Sequence, residues 1–586
     1  MIRDLLTSLR QMGNPDELAI ANHSLKEGLY ILIDADGKCY RELLAEKDNE
    51  LTGELYESIR ARDFYSSLIE MNKPVDGKKK IHSNNIYSFT FKYFDPQKAS
   101  KDEAKKNPIN IYSESVNEHI DRYFKALDNW YNENRIVLKK TTIKPVDKNE
   151  SKKCKEIFTS FMPVLAELVR KYDLKHGKYI KLFINEPIDK YKEASDLYLL
   201  PKVFNNNDYN IEISGEIFGL SNANMGLNAK KPYLVHKTTK YKVPYRITLS
   251  EALDSYRLLM WLDSQEDNGR PKSLGYLPLE KTNNYSLLDD VTRNTPSQFL
   301  HMTRGKTGVV IDDYETLPYT QKDLDKPFRP KNYLNLPDYE ERIITEMRQL
   351  EKLIDEVLFN YYLVKSYYDD PVPVMKYPLS ARQTAIIQIS KNAFLSYFRK
   401  SNKTALAGMV DRISLEMILE KLNQYDYTRM EETYFAKALN LRFALLEYFE
   451  IGGKEELGST INNLYEKLNE LLQVSRPEKP LSCDSDELYY FAAGQLARYL
   501  VSLSKAQAVK YSFITPLLRA KNSAKVKEEL ISLLNKYGYD RVVYGGDYRS
   551  PFENLLFLIT SYDCADNLNK VDLILAGFTA PNLLSK

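Results

Sequence analysis

Three prolines in "LDKPFRPKNYLNLPDYEERI", Pro327, Pro330 and Pro337, divide the chain into two parts with different hydrophobic periods. A proline inside a helix removes a hydrogen bond and clashes with the preceding turn, so no continuous helix crosses this stretch. Before it, a period of two recurs. Leu29, Ile31 and Ile33 alternate in "GLYILIDADGKCYREL" ahead of a D-x-D-G turn, which predicts a hairpin. "IYSFTFKYF", "KYIKLFINEP", "NIEISGEIFGL" and "PYRITLS" read as further strands. Helical patterns separate them, from Ser113 to Trp130 and in "KEIFTSFMPVLAELVRKYDL", where Ile157, Phe161, Val164, Leu165 and Leu168 recur three and four apart. Beyond the prolines six segments carry the helical period, and Asp338 with Glu341 supplies a D-x-x-E start signal. The expectation is an α+β protein: an N-terminal mixed α/β domain over 1–335, then a C-terminal all-α helical bundle over 336–586.

A chain of 586 residues exceeds what one core supports, which fits division into domains. Lys+Arg 83 against Asp+Glu 81 leaves a net charge of +2, so any affinity for a polyanion must come from local patches. The abundant Lys, Asn and Tyr also follow AT-rich codons, so composition alone assigns nothing. Cys39, Cys154, Cys483 and Cys564 form no C-x-x-C pair, which points to a reducing cytoplasm and against a disulfide framework. The start, "MIRDLLTSLRQMG", has charges in its first turns, and no apolar run nears the roughly 18–20 residues of a membrane span. Neither secretion nor a membrane partner is expected.

Catalytic constellations fail on their spacing. "TRGKTGVVIDDYE" suggests a phosphate loop, yet Leu300 occupies the position where G-x-x-x-x-G-K-[ST] needs its first glycine. Asp312, Asp313 and Glu315, read as a turn, are candidate Mg²⁺ ligands, or simply solvated acids. The histidines His23, His82, His119, His176, His236 and His301 form no H-x-x-x-H or H-E-x-x-H set. No G-x-S-x-G elbow occurs. A chain without catalytic centre, cofactor or metal is expected, with a metal-dependent nuclease using Asp312, Asp313 or Glu315 as the alternative.

Between Glu216 and Glu251 there is no carboxylate and there are six cations, Lys230, Lys231, Lys237, Lys240, Lys242 and Arg246. A solvated surface loop accounts for that. The residue types also suit duplex DNA: cations neutralise phosphates, the amides of Asn222, Asn224 and Asn228 offer donors and acceptors to base edges, and Gly226 permits close backbone approach. A second candidate lies on "GQLARYLVSLSKAQAVKY". There Gln495, Arg498, Ser502 and Lys505 fall on one arc about 80° wide, with Leu496, Leu500 and Leu503 elsewhere. An ordinary solvent face, a nucleic-acid track and a subunit interface all fit that stripe.

"NMGLNAKKPYLVHKTTKYKVPY", "GVVIDDYETLP", "FAAGQLARYLVSLSKA", "LISLLNKY" and "LILAGFTAPNLL" resemble, in the same order from about residue 180 onward, the large subunit of the type I-B CRISPR surveillance complex Cascade, the Cas-eight family, subtype b. The resemblance implies a non-catalytic antiviral-defence subunit that recognises the protospacer-adjacent motif (PAM) on double-stranded DNA, helps unwind it and stabilises the R-loop. Implied partners are guide RNA, target DNA, the backbone, 5′-handle-binding and small subunits, and a recruited helicase-nuclease. By the same resemblance Asn222, Asn224 and Asn228 with Lys230 and Lys231 become the PAM reader, and the stripe a contact for displaced DNA or a small subunit. Some members carry paired Cys-x-x-Cys motifs in the middle region, where this chain has no cysteine between Cys154 and Cys483. Related systems make a small subunit from an internal start; the last methionine here is Met430.

Overall fold

The computed structural model describes residues 1–47, 51–69, 73–106, 108–133, 146–204, 210–222, 246–267, 270–279, 287–289, 296–305, 308–337, 339–373, 379–424, 429–474, 481–505, 510–538, 549–565 and 570–584. The chain divides into two compact units, the first running through Leu317 and the second beginning at Pro318. The proline-rich passage thus opens the second unit, and the division falls ahead of residue 335.

The first unit mixes helices and sheets. Its strands are β1 (Gly28–Ile33), β2 (Tyr40–Ala45), β3 (Ser88–Lys92), β4 (Tyr179–Ile184), β5 (Ile211–Ile213), β6 (Glu216–Gly219), β7 (Ile247–Thr248), β8 (Glu266–Asp267), β9 (Arg270–Pro271), β10 (Leu274–Pro278), β11 (Ser297–Gly305) and β12 (Gly308–Leu317). Helices longer than one turn are α1 (Ile2–Met12), α2 (Pro15–Ala21), α3 (Glu54–Ser66), α4 (Ser115–Glu133), α5 (Lys148–Lys171), α6 (Ile188–Val203) and α7 (Leu249–Asp263). The main sheet has the order β2-β1-β4-β3, parallel between β1 and β4 and antiparallel elsewhere. The expected N-terminal hairpin is β1 with β2. All six residues of β1 are buried, not every second one, because the strand is central and covered on both faces. At its start Gly28 lies opposite Tyr179, where a β-carbon would stand 2.3 Å from the Tyr179 carbonyl oxygen.

A charge is sealed beneath this sheet. Asp63 on α3 is 2% exposed and pairs with Lys181 of β4 and, at 3.0 Å, with His23 Nε2. Burial alone would raise the Asp63 carboxyl, but Lys181 and the His23 hydrogen bond hold it down to about 2. The folded value lies below the unfolded one, so this contribution of about 2 kcal/mol is present above pH 4 and is lost as pH falls through 2. Asp63→Asn is expected to cost about 3 kcal/mol at pH 7 by leaving the Lys181 charge buried without its carboxylate. Urea midpoints should converge with wild type as pH drops from 4 towards 2; a gap that stays constant would sink the assignment.

The second unit starts with β13 (Asp323–Phe328) paired to β14 (Ile344–Glu346), followed by α8 (Met347–Val357), α9 (Ala381–Lys400), α10 (Val410–Gln424), α11 (Arg429–Tyr448), α12 (Leu457–Leu472), α13 (Asp486–Ser502), α14 (Ser523–Tyr537), α15 (Pro551–Ser561) and α16 (Val571–Thr579). The D-x-x-E signal starts no helix. Residues 344–346 are captured by β13, and the helix begins only at Met347. Beyond that point the expected helical character holds.

The bundle is organised around α13, whose residues from Leu488 to Val501 are all buried. It packs on α16 with almost no side chain between them: a β-carbon on Gly494 would meet the Ile574 carbonyl oxygen at 2.2 Å, and one on Gly577 the Phe491 carbonyl oxygen at 2.0 Å. Arg442 of α11 is 0% exposed and donates to both carboxylate oxygens of Asp572 on α16 (2.8 and 2.9 Å), to Asp411 Oδ1 (2.6 Å) and to Ser414 Oγ (2.7 Å) on α10. Lys454 Nζ bridges the same two carboxylates at 3.0 and 3.4 Å.

Candidate nucleic-acid interface

The acid-free segment is an excursion between two paired strands. β6 and β7 are antiparallel neighbours, with Phe218 opposite Thr248 and Gly219 opposite Ile247. Gly219 packs too closely on Phe204 to admit a β-carbon, and Ser221 bridges Phe204. On the far side Thr248 caps α7: its hydroxyl accepts from the Glu251 N–H at 3.1 Å while Glu251 Oε2 accepts from the Thr248 N–H at 2.9 Å. Partial burial would raise the Glu251 carboxyl, but Arg3, 2.8 Å away, and the Thr248 N–H hold it below the usual range. Of the two carboxylates that bound the segment, Glu251 is thus already engaged.

Asn222 does not belong to a reading surface. It is 8% exposed, and its backbone N–H donates to the Val203 carbonyl at 2.9 Å, so it fastens the base of the excursion. Arg246, partly buried, stands one residue before β7. Asn224, Gly226, Asn228, Lys230, Lys231, Lys237, Lys240 and Lys242 lie outside the described residues.

The stripe on α13 is a correction. The Gln495 amide is fully buried, its Nε2 donating to the carbonyls of Gly577 (2.7 Å), Ala580 and Pro581 (both 3.3 Å), and its Oε1 accepting from the Leu583 N–H at 2.9 Å. Arg498 is 7% exposed, donates to the Tyr511 hydroxyl at 2.9 Å and lies over the Tyr511 and Phe578 rings. These polar groups hold the bundle core and face no solvent. Ser502 is exposed and donates to the Tyr499 carbonyl, while Lys505 is exposed beyond the end of the helix.

Asp312, Asp313 and Glu315 sit on β12, not in a turn. His301 pairs with Asp313 and Met302 with Ile311, which makes Asp312 the extra residue of a β-bulge, 3.6 Å from His301 Nδ1. The rejected phosphate-loop fragment runs from β11 into β12, with Gly305 opposite Gly308. Among the described residues no group of three or more His, Cys, Asp or Glu could hold a metal ion, and no helix is long and apolar enough to cross a membrane.

One cluster has no sequence signal because the chain assembles it from three distant places. The ammonium groups of Lys26, Lys92 and Lys181 all lie within 6 Å of the Tyr179 ring centre, at 5.7, 5.5 and 5.4 Å. Comparison with known proteins adds no relative: no protein-family model, curated protein or solved structure matches this chain.

Proposed function

We propose that the chain is a non-catalytic nucleic-acid-binding subunit, the large subunit of a type I-B Cascade complex, which recognises the PAM on duplex DNA and holds the R-loop open for a recruited helicase-nuclease. The observation that carries this reading is the placement of the acid-free segment. The chain enters residues 223–245 from β6 and leaves them into β7, adjacent strands fastened at Asn222 and at the Thr248 cap, so both ends of the acid-free segment are tethered to one small sheet. The sequence blocks shared with the Cas-eight family support the finer assignment. Within it Asn224 and Asn228 read bases and Lys230, Lys231, Lys237, Lys240 and Lys242 neutralise phosphates. Helix α13 serves as scaffold, and of its stripe only Ser502 and Lys505 are exposed.

Phosphate contacts make affinity fall with salt at a log-log slope near −0.9 per neutralised phosphate, so about four to six contacts give a steep dependence. Asn224→Ala or Asn228→Ala is expected to cost about 1–3 kcal/mol on duplexes bearing the right motif and much less on random DNA. Lys230→Ala with Lys231→Ala should weaken both equally and flatten the salt slope. Fluorescence anisotropy of the complex assembled with guide RNA measures these. Equal losses for the asparagine variants would reject base reading. Mg²⁺-dependent cleavage abolished by Asp312→Ala would overturn the non-catalytic assignment.

A further inference from the structure

We propose that Asp196 and Asp16 form a proton-operated joint between α6 and α7, in which Asp196 takes up a proton and Asp16 keeps its charge. Both carboxylates compete for one guanidinium. Arg257 of α7 is 4% exposed, and it donates to Asp16 of α2 through Nε at 2.6 Å and to Asp196 of α6 through Nη2 at 3.1 Å. The rings of Phe64, Tyr65 and Tyr256 lie 5.3, 5.6 and 5.6 Å from its central carbon, so apolar faces enclose it. The competition is unequal. Asp16 also meets the Lys192 ammonium at 2.6 Å and accepts from the Tyr65 hydroxyl of α3, whereas the Arg257 contact is the one hydrogen bond that Asp196 accepts among the described residues. Lys192, on the same helix as Asp196, attracts it more weakly because Asp16 engages the ammonium, and Asp254 of α7, paired with Arg10 of α1, repels it.

One enclosed cation does not stabilise two desolvated carboxylates equally. Burial would raise the Asp16 carboxyl, but Arg257 and Lys192 hold it below the usual range. Burial pushes Asp196 up to about 6 against the pull of Arg257, with the Asp16 charge adding to the rise. The folded value of Asp196 thus lies above the unfolded one of about 4, and the fold gains stability as pH falls through that window. Above it the buried negative charge weakens the joint. The sign is opposite to that of Asp63, and the window lies higher. α6 ends at Val203, whose carbonyl holds the Asn222 N–H, and α7 starts at the Thr248 cap, so the joint ties together the two helices that fasten the chain on either side of residues 223–245.

The test compares the full chain with Asp196→Asn and Asp16→Asn from about pH 5 to pH 8, by urea unfolding and by infrared difference spectra of the protonated carboxyl C=O band. Asp196→Asn carries the neutral form at every pH. It should be more stable than wild type at pH 8, with a folding constant larger by about tenfold or more, and the gap should close towards pH 5. An ordinary ion pair gives the reverse sign. Wild type should show a carboxyl band that grows below about pH 7 and is missing from Asp196→Asn. In Asp16→Asn, where Arg257 is left to Asp196 alone, that band should appear only at lower pH. An Asp196→Asn protein less stable than wild type at pH 8, a gap that does not change with pH, or a carboxyl band with an unmoved midpoint in Asp16→Asn would overturn the proposal.

Discussion

Replacing Arg442 by methionine is expected to cost the helical unit about 3–5 kcal/mol, the range for breaking a buried ion network from one side. The guanidinium is fully enclosed and reaches Asp572, Asp411 and Ser414 at once, joining α10, α11 and α16. Without it two carboxylates are left beside each other with Lys454 as their remaining cation. Solvation cannot repair the loss, since Asp572 is itself only 8% exposed. Adding Asp572→Leu to Arg442→Met should recover part of the stability, because removing both partners of a buried pair is far less costly than removing one. Urea denaturation of the full chain, followed on the second unit by hydrogen exchange, measures both. A loss below about 1 kcal/mol for Arg442→Met would mean that the network does not hold the helices together.

Gly494→Val should be comparably damaging, at about 3 kcal/mol or more. Overpacking usually costs 1–3 kcal/mol, but here the obstacle is main chain and not a side chain that can change rotamer. The added carbon would stand 2.2 Å from the Ile574 carbonyl oxygen and 2.6 Å from the Phe578 nitrogen, forcing α13 and α16 apart. Separation would also strip the Gln495 amide from the carbonyls of Gly577, Ala580 and Pro581. For a unit of this size the melting temperature should fall by roughly 6–12 °C. An unchanged melting temperature would show that the helix pair relaxes without penalty.

The α+β character, the hairpin of β1 and β2 and the helical second unit were legible because period and turn chemistry act locally. What was not legible depends on neighbours distant in sequence. The polar residues of α13 resembled a solvent stripe, since Gln495 and Arg498 share an arc. Yet Ala492, Ala493, Gly494 and Ala497 marked a face where another backbone comes close, and small residues around a polar one signal a satisfied core contact. Asn222 carried no local mark of burial; the Val203 carbonyl that fixes it belongs to the end of α6. Asp338 with Glu341 matched a helix start, but pairing of β14 with β13 overrode the propensity. The lysines around Tyr179 come together only through the register of β3, β4 and β1, which no spacing along the chain encodes.

The glycine contact between α13 and α16 bears on how this protein's history can be read. Each glycine faces peptide atoms of the other helix, and every amino acid possesses those atoms. A substitution at one position therefore finds no compensating change at the other, and no second-site suppressor arises there. Correlated variation among descendants would pass over this crossing, although it is where two helices touch most intimately.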